Sequence, residues 1–346
     1  MLVMLAWLAE LVAASYFLSH GAEVISKKYG ARFVGRTLLS IATTLPEIAI
    51  VIYAASDGSY GTAIGAGLGS NLLMMSLGVA LMLFVATTRL SKAPLKGIDV
   101  SMFKLDKIFL LITAVLSAIL FIDGYSFVDG IIFTGLFGAY IVMAFREMVL
   151  ERKNHRKITS IQLHPEHIAE VNQERIGERN PGRKMIIASL TFCVGTIGIF
   201  IGADPFVHSL QGVATDIGIS VVILAVVISP IAGEMPEKIS MILLARKGAA
   251  GASIAVANVL GSKILNNTLL LAVAVFGAVY HAGFSTVIPN SPSLQFQVIL
   301  VTAVTLAALA PMVKRHIGLK TGIMLATMYV FAISVQFIIP QDVNLK

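Results

Sequence analysis

Long apolar stretches alternate with short polar segments along the chain, and this pattern predicts a bundle of membrane-spanning helices. Each stretch approaches the roughly 20 residues that a helix needs to cross a bilayer core. Ten spans are predicted, with approximate limits 2–19, 33–56, 60–86, 106–123, 128–149, 184–204, 217–245, 249–280, 294–313 and 319–339. The alternation typical of outer-membrane barrel strands is missing. The predicted fold is therefore an all-α integral membrane protein.

Four places inside these spans are rich in proline or glycine, and we expect broken helices there. They are Thr43–Pro46, Gly61–Gly69, Pro230–Pro236 and Gly248–Gly261. Backbone groups freed at membrane depth must be satisfied by protein or by a water-filled cavity. The breaks are therefore expected near the midplane, around an internal site.

Composition supports the membrane assignment. Of the 346 residues, 57% are hydrophobic and 13% are charged, and the mean hydropathy is +0.86. One cysteine, Cys193, excludes an internal disulfide and a cysteine metal cluster. No Gly-x-x-x-x-Gly-Lys-Ser/Thr motif occurs, so neither nucleotide binding nor a cofactor is predicted. Residues 2–18 lack a basic leading segment and are predicted to be the first span, not a cleaved signal.

Basic residues are concentrated in alternate loops. The loops after spans 1, 3, 5, 7 and 9 hold all but Lys238, Lys263 and Lys346 of the 26 Lys and Arg residues, whereas the loops after spans 2, 4, 6 and 8 hold none. The positive-inside rule places the basic loops in the cytoplasm and both termini outside, in a cell (inner) membrane. The net charge of +7 is thus explained by topology in a lipid membrane, and no nucleic-acid partner is predicted.

The two halves of the chain repeat each other. Pro46-Glu47 matches Pro236-Glu237 at an offset of 190, and Gly69-Ser70 matches Gly261-Ser262 at an offset of 192. These alpha repeats cover about 35–86 and about 217–280. Each half has five spans, an odd number, so the second half enters the membrane from the opposite side. Such inverted repeats are the plan of many secondary transporters.

The predicted organisation has three parts. The first inverted repeat is 1–149, a hydrophilic cytoplasmic linker is 150–183, and the second inverted repeat is 184–346. The linker contains His164-Pro-Glu-His167, whose spacing suggests a metal site. A solvated linker is the favoured interpretation, because a single spacing of this kind is a weak signal.

Glu47 and Glu237 each follow a proline inside an apolar stretch. A carboxylate in a membrane span is costly, so two at equivalent positions of a repeat indicate one shared site that handles ions. A buried structural ion pair is the alternative for these glutamates.

Other oxygen-bearing side chains stand at helical spacing from these glutamates. Thr43 and Thr44 share a face with Glu47, Glu234 shares one with Glu237, and Ser262 and Asn266 are four residues apart. Hard oxygen ligands suit Na⁺, Ca²⁺ or Mg²⁺. For any single Ser or Thr, the alternative is a hydrogen bond back to its own helix.

These residues resemble the motifs of the calcium/cation antiporter superfamily, nearest to prokaryotic sodium/calcium exchangers. The family pattern is roughly Gly-Thr-Ser-Leu-Pro-Glu followed by Gly-Ser-Asn-x-x-Asn/Asp. This chain reads Ala42-Thr-Thr-Leu-Pro-Glu47 with Gly69-Ser70-Asn71, and Ala232-Gly-Glu-Met-Pro-Glu237 with Gly261-Ser-Lys-Ile-Leu-Asn266. The resemblance implies alternating access with Glu47 and Glu237 as shared central ligands. It implies that the sites are completed by Thr43, Thr44, Ser70 and Ser262, with Asn71 and Asn266 as motif residues.

The chain departs from the family pattern at four positions. Met74 stands where the family has a polar or acidic side chain, and Gly233 and Glu234 replace two hydroxyl residues. Lys263 replaces the asparagine that Asn71 represents in the first copy. The second copy has thus gained one carboxylate and one ammonium.

A buried lysine must pair or lose its proton, and we hypothesise that Lys263 pairs with Glu234 or Glu237. Its ammonium would then occupy the space and charge of a bound cation. Lys238, four residues after Glu234, competes for that role. With Glu47 included, the site would keep a charge of roughly minus two, which balances one Ca²⁺ or two monovalent ions.

The sequence favours a secondary antiporter that exchanges Ca²⁺ for Na⁺. Calcium/proton or monovalent cation/proton antiport is the nearest alternative, because a desolvated glutamate can carry a proton. An uncoupled cation channel is an alternative of another class. An intramembrane enzyme is disfavoured, because the histidines near spans fall at span ends: His20, His208, His281 and His316.

Overall fold

The computed structural model describes residues 1–27, 40–159 and 181–336, which are mainly helical. The helices are α1 (Leu2–Lys27), α2 (Ser40–Ser56), α3 (Tyr60–Leu73), α4 (Val79–Thr87), α5 (Lys104–Leu120), α6 (Phe127–Thr159), α7 (Pro181–Ile217), α8 (Val221–Ala245), α9 (Ala249–Leu265), α10 (Leu271–Ala282), α11 (Pro292–Met312) and α12 (Leu319–Gln336). A π-helical turn, Met74–Gly78, joins α3 to α4, and another, Asn266–Leu270, joins α9 to α10. A 3-10 turn, Phe121–Asp123, follows α5. Strands β1 (Ile98–Asp99) and β2 (His316–Ile317) form one small antiparallel pair.

The all-α membrane fold predicted from the apolar pattern is confirmed. Eight helical segments within the described ranges are long and apolar enough to cross a membrane. They are Leu2–Ala22, Tyr60–Thr87, Lys104–Asp123, Phe127–Glu147, Met185–Ile217, Ala249–Ala282, Pro292–Met312 and Leu319–Gln336. Ser40–Ser56 and Val221–Glu234 are shorter apolar helical stretches. A helix therefore lies at each of the ten predicted positions.

Breaks in the helices were predicted at four places. The prediction is wrong at three of them and holds only for the first residue of the fourth. α2 continues through Thr43–Pro46, α3 through Gly61–Gly69, and α8 through Pro230–Pro236. Only the start of Gly248–Gly261 is a break, where Gly248 precedes α9 with φ of 84°. A proline removes one backbone donor, and the neighbouring helical hydrogen bonds can hold the helix together across it.

The helices are irregular one turn beyond the two repeated serines. The π turns Met74–Gly78 and Asn266–Leu270 begin four residues after Ser70 and Ser262, so they occupy matching positions in the two halves. Single π turns of this kind are frequent at functional sites.

Glycines bring α3 and α8 into close contact. A Cβ atom on Gly69 would lie 2.2 Å from the carbonyl oxygen of Val226, and one on Gly65 would lie 3.0 Å from that of Val222. Small residues at such interfaces let helix backbones approach closely in a membrane. In the matching pair of elements, α2 packs against α9 and α10.

The loops gather at two opposite ends of the bundle. At one end Gln211 of α7 donates a 2.8 Å hydrogen bond to Ser59 before α3, and the α5–α6 loop pairs with the α10–α11 loop. At the other end β1 pairs with β2, and the Lys92 amide donates to the Arg246 carbonyl at 3.0 Å. Three of the loops predicted to be basic, those after spans 3, 7 and 9, therefore share one end.

Asp99 fastens this basic end. It accepts hydrogen bonds from the Ser101 amide (2.9 Å), the Ser101 hydroxyl (2.6 Å) and Arg315 Nε (3.0 Å). These Ser101 bonds and the Arg315 guanidinium hold the pKa of Asp99 well below its usual range. The contact therefore keeps its charge at neutral pH.

The predicted linker is partly helical. α6 continues to Thr159 and α7 begins at Pro181, so helix occupies both ends of the segment 150–183. The remainder, 160–180, lies outside the described residues and includes His164-Pro-Glu-His167. Three basic residues of the first loop also lie outside them: Lys28, Arg32 and Arg36.

Gly69→Ala should destabilise the bundle by about 1–3 kcal/mol, because the added methyl group overpacks against a backbone carbonyl that cannot move aside. Thermal unfolding of the detergent-solubilised protein measures the effect. Gly135→Ala is the matched control, since a Cβ there would meet nothing within 4 Å. Equal melting temperatures for the two variants would contradict the close packing of α3 on α8.

Candidate functional site

Three carboxylates and one ammonium are buried together between α2, α3, α8 and α9. Glu47 lies on α2, Glu234 and Glu237 lie on α8, and each is 1% exposed. Lys263 of α9 has no exposed surface. Charged side chains inside a membrane protein mark ion pathways and sites, because their burial is costly.

Lys263 forms the central ion pair of this cluster. Its Nζ atom makes a salt bridge with Oε1 of Glu234 and donates a 2.8 Å hydrogen bond to Ser70 Oγ. Ser70 donates to the same Glu234 oxygen. Of the two partners predicted for Lys263, Glu234 and Glu237, the structure pairs it with Glu234. Lys238 is nearly buried, and it makes no salt bridge or hydrogen bond within the part of the chain that the structure describes.

Asn266 adds a third oxygen beside the ammonium. With its amide oxygen turned inward, that oxygen lies 2.7 Å from Ser70 Oγ and 3.3 Å from Lys263 Nζ. In the same orientation its amide nitrogen donates to the Ser262 carbonyl at 3.2 Å. Asn266 is the first residue of the second π turn, so this turn positions it against Lys263.

Glu237 is held by α9. Its Oε1 atom accepts hydrogen bonds from Asn258 Nδ2 and from Ser262 Oγ, each at 3.0 Å. Ser40 Oγ donates in turn to Asn258 Oδ1 at 3.3 Å. The carboxylate of the second repeat is therefore fixed by polar neighbours.

Glu47 is placed differently, although it is the matching residue. Neither of its carboxylate oxygens has a hydrogen-bond partner among the described residues. The serine that matches Ser262 is Ser70, and Ser70 is engaged by Lys263 and Glu234. The second repeat thus has an additional ion pair, Lys263 with Glu234, and the first repeat has a carboxylate, Glu47, without hydrogen-bond partners among the described residues.

Gly233 makes room for this carboxylate. A Cβ atom at position 233 would lie 2.1 Å from Glu47 Oε1. An added side chain at position 233 would therefore displace the end of the Glu47 side chain, so glycine here permits the observed position of the carboxylate.

Three other predicted ligands use their hydrogen-bond donors elsewhere. Thr43 and Thr44 donate to the Ser40 carbonyl at 3.2 Å and 2.8 Å, the back-bonding alternative for single hydroxyl residues. Asn71 donates to the side chain of Asn267. All three side chains are buried, and their oxygen atoms keep lone pairs for a cation.

Sequence reasoning missed three polar residues inside the bundle. Asn258 and Asn267 contact predicted site residues, and Glu10 of α1 lies against α7, where a Cβ on Gly202 would meet its Oε2 at 1.8 Å. Each is a polar residue within an apolar run, which was the signal that identified Glu47. Asn258 has no polar counterpart in the first repeat, where Ala66 matches it.

Comparison with known proteins assigns a common family to both halves of the chain. A sequence model of the family described as "sodium/calcium exchanger protein" matches residues 1–146 and 187–338. The sodium/calcium exchanger MaX1 of Methanosarcina acetivorans is 28% identical over 299 residues, which cover 78% of this chain and 81% of MaX1.

Two solved structures share the fold. The crystal structure of the H⁺/Ca²⁺ exchanger CAX superposes with a TM-score of 0.77 at 20% identity, over 98% of this chain and 82% of CAX. A structure of the sodium-calcium exchanger NCX_Mj superposes with a TM-score of 0.62 at 22% identity, over 96% of each chain.

Lys263→Asn should destabilise the protein by about 3–5 kcal/mol, because it leaves the buried Glu234 charge without its partner. The double variant Glu234→Gln/Lys263→Asn removes both charges and should recover most of that loss. Thermal unfolding in detergent at low Ca²⁺ compares the three proteins. A double variant as unstable as the single one would show that the ion pair is not what Lys263 contributes.

Proposed function

The chain belongs to the sodium/calcium exchanger protein family, and from this membership and the buried carboxylates we propose that it is a secondary antiporter exchanging Ca²⁺ for Na⁺. The observation that carries the proposal is the carboxylate of Glu47. It is buried, and both its oxygens lack hydrogen-bond partners among the residues described. A buried ionised carboxylate requires a compensating charge, which a transported cation supplies.

The donor set suits a hard cation. Glu47 and Glu237 would provide carboxylate oxygens from the two repeats, and Oε2 of Glu234 also has no hydrogen-bond partner in the described ranges. Thr43, Thr44 and Ser262 would add neutral oxygens. Ca²⁺ takes six to eight such ligands and Na⁺ accepts the same chemistry, whereas softer transition metals prefer nitrogen and sulfur.

Alternating access between two inverted five-helix repeats is the proposed mechanism. Several features support it: α3 packs on α8 as α2 packs on α9 and α10, and the π turns occupy matching positions. The proposed orientation has the basic loops in the cytoplasm and both termini outside. The carboxylates would then meet near the midplane, where either end of the bundle can open to them.

Sodium is the proposed counter-ion. The relative MaX1, which aligns with most of this chain, is a sodium/calcium exchanger by name. Proton coupling is the competing form of the same mechanism, because the carboxylates that bind Na⁺ can also carry protons.

Radiolabelled Ca²⁺ uptake into proteoliposomes tests this function. Vesicles loaded with Na⁺ should accumulate Ca²⁺, and Glu47→Gln or Glu237→Gln should reduce uptake at least about tenfold by removing a charged ligand. Asp216→Asn is the control, because it neutralises an exposed carboxylate near the end of α7.

Other outcomes separate the alternatives. Uptake driven only by a pH gradient would overturn the sodium half of the proposal. Ca²⁺ flux without any counter-ion gradient would identify an uncoupled channel. Absence of uptake under both gradients would reject Ca²⁺ as the substrate.

Gly233→Ala should weaken Ca²⁺ binding at least about tenfold, because the added methyl group displaces the Glu47 carboxylate from its position. Equilibrium binding of radiolabelled Ca²⁺ to the purified protein in detergent measures the change. Gly212→Ala provides the control, since a Cβ there would meet nothing within 4 Å. Unchanged affinity in Gly233→Ala would mean that Glu47 does not bind the cation from this position.

A further inference from the structure

We propose that Lys263 is a tethered cation that fixes the formal charge of the transport site at −2, so that each Ca²⁺ exchanges for two monovalent cations and no net charge crosses the membrane. The inference rests on the proposed antiport function. It concerns the stoichiometry of that transport and its response to membrane potential.

The ammonium of Lys263 is coordinated as a bound monovalent cation would be. It has three N–H donors, and three oxygen-bearing side chains surround it: Glu234 by the salt bridge, Ser70 at 2.8 Å and Asn266 at 3.3 Å. All of these side chains are buried. The ammonium is therefore held by protein oxygens instead of water.

The same contacts connect three helices. Lys263 extends from α9 to Glu234 on α8 and to Ser70 on α3. A covalently attached ammonium cannot leave with the substrate. It therefore neutralises Glu234 without being exchanged, whereas a free ion in this position would be transported.

Two carboxylates are left to neutralise the cargo. Glu47 has no hydrogen-bond partner among the described residues. Glu237 accepts hydrogen bonds from the neutral side chains of Asn258 and Ser262, and no cationic group forms a salt bridge with it in that same set. One Ca²⁺ balances this pair, and so do two Na⁺ or two protons. Lys238 forms no salt bridge within the described ranges, although its charge acts electrostatically on Glu234, Glu47 and Glu237. The formal charge of −2 counts only the ammonium in direct contact with a carboxylate, which is that of Lys263.

The first repeat has no equivalent tethered charge. Asn71 stands at the position that matches Lys263, and it bonds to Asn267. A lysine ammonium therefore takes the place of a bound cation only in the half of the site that the second repeat contributes. The Asn71 environment also makes asparagine the natural substitute for Lys263.

Ca²⁺ gradients sustained by proteoliposomes at a clamped membrane potential test the inference. In the wild type, a roughly tenfold sodium gradient should sustain a Ca²⁺ gradient of about a hundredfold both at zero potential and at about −100 mV. Lys263→Asn should admit a third monovalent ion, so the same potential should shift its Ca²⁺ gradient by about fifty-fold. If protons drive transport, the same comparison is made with a pH gradient.

Two variants control for this change of charge. Glu234→Gln/Lys263→Asn restores the formal charge and should again be insensitive to potential. Lys238→Gln changes a neighbouring lysine that the inference does not use, and it should behave like the wild type. Voltage-dependent wild-type gradients, an insensitive Lys263→Asn variant, or a shift produced by Lys238→Gln would each overturn the inference.

Competition between Na⁺ and Ca²⁺ for binding to the protein in detergent tests the inferred stoichiometry without measuring transport. Na⁺ should displace bound Ca²⁺ from the wild type with a Hill coefficient of about two, and a value near three would overturn the inference. This measurement needs neither flux nor a folded variant. Absence of flux under both gradients would reject the antiport function while the competition still counts the ions. Absence of Ca²⁺ binding would overturn both proposals.

Discussion

The salt bridge between Lys263 and Glu234 is the interaction on which the arrangement of the site depends. Both side chains are almost completely buried in an apolar helix bundle, where an unpaired charge would be strongly destabilising. The pair draws Ser70 toward Glu234, and Glu47 is left without the serine contact that Glu237 has. Glu47 and Glu237, which stand at matching positions of the repeated sequence, thus have different surroundings beside this ion pair.

Close helix packing provides the space for this asymmetry. Gly69 brings the backbone of α3 against α8, and Gly233 lets Glu47 of α2 approach α8. Neither position tolerates a Cβ atom without movement of its neighbours. The glycines therefore serve helix contact, while the helices that carry them remain continuous.

The sequence was sufficient to predict the helices and the pairing of Lys263, because both follow from the high free energy of burying polar groups. Apolar run length located the spans, and a buried lysine beside acidic residues had few possible partners. The continuity of α2 through Pro46 and of α8 through Pro230 was not predictable from proline content, since flanking hydrogen bonds and tertiary packing decide whether a helix breaks. Asn258 was missed because the repeat comparison offered only Ala66 as its counterpart.

The two π turns have a consequence for the phase of the helices beyond them. Each residue of an α-helix advances the side-chain direction by about 100°, so one extra residue in a turn rotates the following segment by that angle. Ser70 and Ser262 can therefore face the buried charged cluster, while Leu83 and Val275, farther along, still face the bundle interior. A deletion that restored a regular helix would turn the downstream faces away from their partners in both halves by the same angle.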